Sequence, residues 1–82
     1  MIGTVYFKGG HTEKILMYDA GHDGIRTYFT TKSGQYKRHL TSNPEQNGKY
    51  IYSKLLTNIG GRKWWIVIHD IEKIELKERK ND

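Results

Sequence analysis

The sequence contains no cysteine. That excludes a disulfide scaffold, a thiolate zinc site and a cysteine nucleophile. It has one proline, Pro44, and its longest apolar run is only Trp64 to Ile68. A membrane-spanning helix needs about 20 apolar residues, so no such span is expected. The first residues lack the charged start and apolar stretch of a secretory signal. The expectation is a cytoplasmic protein with no membrane partner.

Acid is scarce where base is dense. Between Gly24 and Lys63 the basic residues are Arg26, Lys32, Lys37, Arg38, Lys49, Lys54, Arg62 and Lys63, against the single acid Glu45, a net +7. From Asp70 to Asp82 five acids face four bases, so the tail is slightly acidic. A positive middle attracts phosphates or acidic surfaces. It also leaves no cluster of carboxylates there to hold Mg²⁺, which argues against a metal-dependent nuclease.

Apolar residues are few as well, at 35%, and a third of them are aromatic. Rings that each bury roughly 150–250 Å² must carry much of the core. In 82 residues there is room for one domain, spanning 1–82 with a fraying tail at 78–82. A core this small gains from self-association.

The chain shows no internal repeat or linker and reads as short strands between turn signals. Ile2 to Lys8 alternates and stops at Gly9-Gly10; Glu13 to Tyr18 is the return strand. Further strands are expected at Ile25–Thr31, Gln35–Leu40, Lys49–Thr57 and Lys63–His69, with the longest loop around Pro44. A one-turn helical or 3₁₀ link near Asp70–Glu72 and a strand at Lys73–Lys77 complete the reading; a longer C-terminal helix is the alternative. Six or seven antiparallel strands of this size fit a mainly β domain, either a small SH3-like or OB-like barrel or a curled sheet.

One segment breaks the alternation expected of a half-exposed strand. Trp64, Ile66 and Ile68 would share one face, Trp65 and Val67 the other. Both faces need cover, which a further layer on each side, a subunit interface or a ligand stacked on Trp65 would supply; the expectation is a homo-oligomer joined through Trp64–Ile68.

Candidate chemistry is sparse. His11, His22, His39 and His69 lack metal-site spacing, and no serine sits in a nucleophile elbow. Neither glycine pair belongs to a P-loop, and no RNP1 motif or KH-type loop is present. The expectation is a non-enzyme without metal or cofactor. Metal-free phosphodiester chemistry by His39 with Lys37 and Arg38 is the catalytic alternative.

What remains is basic and aromatic side chains interleaved on neighbouring strands. Cations pair with phosphates and rings stack on bases. Arg26, Tyr28, Tyr36, Arg38, Arg62, Lys63 and Trp65 are the expected ligand contacts. Arg62-Lys63 follows the Gly60-Gly61 turn, whose amides can help seat a phosphate. The expected partner is an anionic, nucleotide-type ligand. The alternatives are RNA or DNA, or an acidic protein surface to which the chain docks as an inhibitor.

The short, cysteine-free, Lys/Ile/Tyr-rich chain with its Asp-Ile-Glu-Lys-Ile-Glu-Leu segment is similar in overall style to small accessory proteins of bacteriophages. The resemblance implies an anti-defence role in the host cytoplasm. Some such proteins mimic DNA with acid-rich surfaces, which a basic chain does not match. Others are oligomeric sponges that sequester nucleotide immune signals without cleaving them, and the resemblance points to that mode.

Overall fold

In the computed structural model, which describes residues 2–21, 25–41 and 49–77, alternating β-branched and aromatic residues form strands throughout. They are β1 (Ile2–Phe7), β2 (Thr12–Lys14), β3 (Met17–Asp19), β4 (Arg26–Thr31), β5 (Gly34–Leu40), β6 (Tyr50–Ile59), β7 (Arg62–Ile68) and β8 (Ile71–Lys77). All pairings are antiparallel, in one sheet of order β2-β1-β8 and a second of order β3-β4-β5-β6-β7. No helix occurs among the described residues, and so none long and apolar enough to cross a membrane. The expected Pro44 loop and the tail at 78–82 lie outside the described residues.

The return strand expected at Glu13–Tyr18 is broken at a corner. The Ile15 N–H donates to the Gly3 carbonyl in the first sheet at 2.9 Å, and the next residue, Leu16, donates to Thr30 in the second at 2.7 Å. Neighbouring residues thus belong to different sheets, and the chain folds one sheet over the other there. Next to the Phe7–Ile71 pair, the Lys8 N–H donates to the Asp70 carbonyl at 2.8 Å and extends the β1–β8 ladder to the link from β7. Pairing does not run round a full circle among the described residues, because β7 has β6 as its one partner. The architecture is all-β, two antiparallel sheets of three and five strands, an arrangement that a curled sheet allows.

Between the two layers lie Val5, Ile15, Phe29, Tyr36, Tyr52 and Ile71. Ile71 explains why no helical turn forms at Asp70–Glu72. It is 4% exposed and pairs with Phe7 across an irregularity in the β1–β8 ladder. A turn of helix would withdraw that side chain from a core with few apolar members.

One buried carboxylate sits at the layer junction. The hydroxyls of Thr31 and Ser33 each donate to Glu13 Oε1 at 2.6 Å, and His11 Nε2 lies 2.8 Å from Oε2. Tyr36 donates its hydroxyl in turn to Ser33 at 2.6 Å. Burial alone pushes the Glu13 carboxyl up; the hydrogen bonds from Ser33, Thr31 and His11 outweigh it and hold the pKa down at about 2.

Candidate functional site

Strand alternation distributes the basic and aromatic residues over two faces of the larger sheet. The register pairs Phe29 with Tyr36, and Arg38 with both Thr27 and Tyr52. These residues face inward, toward the smaller sheet. Lys37 pairs with Tyr28 and Ser53, and His39 with Arg26 and Ile51, so that set faces outward.

The inward face opens at one end into a cleft of ≈ 720 Å³ between β5–β7 and the start of β8. Arg38, Tyr50, Tyr52 and Ile68 line its wall, with Lys8, Lys49, His69 and Lys73 around it and Glu72 the one carboxylate. The Arg38 guanidinium lies over the Tyr50 ring, 4.1 Å from its centroid. Its Nε is buried and has no acceptor among the described residues. Burial pushes the Tyr52 phenol up, and the charge and hydrogen bond of Arg38 oppose that. Lys73 is a rim residue whose ammonium stands 5.0 Å from the Tyr6 ring.

The outward face carries a second cluster. Tyr28 and Trp65 approach to 5.9 Å between ring centroids, and Lys37 Nζ stands 4.9 Å from the Trp65 ring. A smaller cleft of ≈ 310 Å³ adjoins it, lined among others by Tyr28, Gln35 and Lys63.

The seven expected contacts therefore do not form one site. Arg38 lies in the inner cleft. Arg26, Tyr28, Lys63 and Trp65 lie on the outer face, and Arg62 is exposed at the start of β7 beside the hairpin tip. Tyr36 is a core residue: 2% exposed, stacked on Phe29 at 5.4 Å and flanked by Lys54 at 5.7 Å. Its ring has no free face to offer a base.

The catalytic alternative also separates, since His39 and Lys37 point away from the face that carries Arg38. In the Glu13 network, Ser33 donates to the carboxylate and not to an imidazole. Among the described residues no three His, Asp or Glu side chains gather as a metal site.

Sequence reasoning missed Lys8, Lys49, His69 and Lys73 as neighbours of Arg38. Tyr50 and Tyr52, at the period of two from the same strand, were the available signal. Compared with protein-family models, curated proteins and solved structures, the chain matches none.

Proposed function

We propose that the protein is a non-catalytic binder of a phosphate-bearing, nucleotide-type ligand held in the inner cleft. The observation that carries this reading is Arg38: a permanent cation stacked on an aromatic ring, with a buried N–H that has no acceptor among the described residues, in a cleft edged by lysines. Such a donor costs stability unless an acceptor meets it, and a phosphate oxygen is the strongest acceptor available to a guanidinium. Tyr50, 46% exposed, supplies a ring surface beside it. Holding a small anion this way fits sequestration of a nucleotide signal.

The test is a thermal-shift panel of mononucleotides, cyclic nucleotides and short oligonucleotides, with inorganic phosphate as control, on wild type and Arg38→Met. Wild type should be stabilised by one nucleotide class and Arg38→Met by none, with the nucleotide recovered intact after heat denaturation. No stabilisation by any nucleotide, or equal stabilisation of the variant, sinks the reading.

A second reading is favoured by the outer cluster of Tyr28, Lys37 and Trp65, with Arg26 and Lys63 on the same face. Rings and cations on an open sheet suit single-stranded RNA or DNA. Salt separates the two. Binding along the outer face should weaken steeply with salt, while a small ligand in the cleft should respond much less.

A further inference from the structure

We propose that two copies of the chain join edge to edge through β7, antiparallel, with Ile66 opposite its own copy on a two-fold axis. Unpaired sheet edges invite pairing, and monomeric proteins guard them with charge, proline, bulges or short strands. The other edges here are guarded. β8 carries Glu72, Lys73, Glu75 and Lys77, and β2 and β3 have three residues each. From Trp64 to Ile68, β7 has no charge, proline or glycine. Its ladder irregularity lies in β6, between Leu55 and Thr57. Trp64 is 55% exposed, Ile66 50% and Val67 52%, on both faces of the strand.

The sequence of β7 selects a second copy as the occupant, and a register. A closed antiparallel pair of identical strands sets one residue opposite itself and pairs the rest symmetrically about it. Centred on Ile66, the pairs within β7 are Trp64 with Ile68 and Trp65 with Val67, while Lys63 and Arg62 run toward the His69–Asp70 corner that follows β7 of the second copy. Apolar side chains then meet apolar ones, and cations approach a carboxylate. Centred on Trp65, Arg62 would face Ile68 and Lys63 would face Val67. Centred on Val67, Trp64 would have no partner in β7 of the second copy, which ends at Ile68. Ile66 is the centre that avoids both outcomes.

The pairing also bears on the cleft. Val67, Ile68 and His69 line it, so the second copy brings Arg62 and its hairpin tip to the His69–Asp70 corner. That adds a cation to a rim already rich in them. The pairing itself does not rest on the nature of the cleft's ligand, and its test uses none.

The experiment is native mass spectrometry and sedimentation equilibrium on the ligand-free protein. Wild type should be a dimer at micromolar concentration. Ile66→Lys, which places two ammonium groups on the axis, should raise the dimer dissociation constant about 100-fold or more. Its far-UV circular dichroism should match wild type. Arg62→Asp should weaken the dimer, and Arg62→Asp with Asp70→Arg should restore it. Because the chain has no cysteine, single-cysteine variants read the register directly: Ile66→Cys should form a self-disulfide on oxidation faster than Trp65→Cys or Val67→Cys. A monomeric wild type, a dimer indifferent to Ile66→Lys, or preferential linking at Trp65 or Val67 overturns the proposal.

Discussion

The Thr31 hydroxyl donates to Glu13 Oε1 at 2.6 Å across the boundary between the two sheets. Glu13 belongs to β2 and Thr31 to β4, so the bond ties the layers beside the Ile15–Leu16 corner. The Glu13 pKa is held at about 2, below the ordinary 4.5. A carboxyl whose folded pKa is depressed stabilises the fold fully above its unfolded pKa and loses that contribution as pH falls through its folded pKa. Stability should therefore drop between about pH 4.5 and 2, by on the order of 3 kcal/mol from this group. Urea unfolding of wild type and Glu13→Gln across that window measures it. The variant should be less stable near neutrality by about 2–3 kcal/mol, and the gap should close toward pH 2.

The strands were legible because alternation and turn glycines are local signals. Gly9-Gly10 and Gly60-Gly61 marked two hairpins, and Ile25–Thr31 marked a strand within one residue of β4. The corner at Ile15–Leu16 was not legible, since either residue continues a strand equally well and only the two sheets' competing partners split them. Ile71 is a similar case: its helix-like neighbours are local, while its burial against Phe7 depends on β8 returning to β1. For the candidate site, alternation placed Tyr36 and Arg38 on one face. It could not say that this face turns inward, which buries one and leaves the other at the cleft. Lys49 comes near Arg38 through the β5–β6 pairing, whereas the proximity of Lys8 depends on how the smaller sheet lies against the larger, which no local pattern encodes.

Gly3 is a close-packing position. A Cβ there would lie 2.8 Å from Ile15 Cδ1, 2.9 Å from Leu76 Cδ2 and 3.2 Å from Ile15 Cβ. Gly3→Ala should cost about 1–3 kcal/mol through overpacking. Ile15→Val removes the nearest of those atoms. Gly3→Ala with Ile15→Val should therefore lose less than the two single costs combined, a coupling that a double-mutant cycle from chemical unfolding detects. Strict additivity would show that the strain is not at this contact.

The β6–β7 hairpin turns on Gly60 at φ 59° and Gly61 at φ 79°. Two successive positive φ values between Ile59 and Arg62, which pair, describe the two-residue hairpin turn that favours Asn-Gly or Gly-Gly. Asparagine tolerates the left-handed region, so Gly60→Asn should leave the melting temperature nearly unchanged. Gly61→Val places a β-branched residue at positive φ and should cost about 1–2 kcal/mol. Thermal melts of the two variants distinguish conformational strain from loss of a contact, since a Cβ at either position meets nothing within 4 Å.

Arg38 offers the sharpest separation of fold from function. Arg38→Met forfeits the stacking on Tyr50, worth about 0.5–1 kcal/mol at a partly exposed site. It also removes a buried Nε without an acceptor among the described residues, whose burial costs about 1–3 kcal/mol. Methionine keeps much of the aliphatic stem's packing. These effects oppose one another, so stability should stay within about 1 kcal/mol of wild type. Tyr52 gives an independent readout. Burial already pushes its phenol up, and the Arg38 charge and hydrogen bond hold it back. Without them the Tyr52 pKa should rise further, seen in the ultraviolet titration as one tyrosine ionising later than in wild type. A variant that folds normally, titrates Tyr52 later and ignores nucleotides would place the lost binding in the cleft. One that unfolds would show instead that Arg38 is chiefly a structural cation, stacked on Tyr50 to hold β5 and β6 in register.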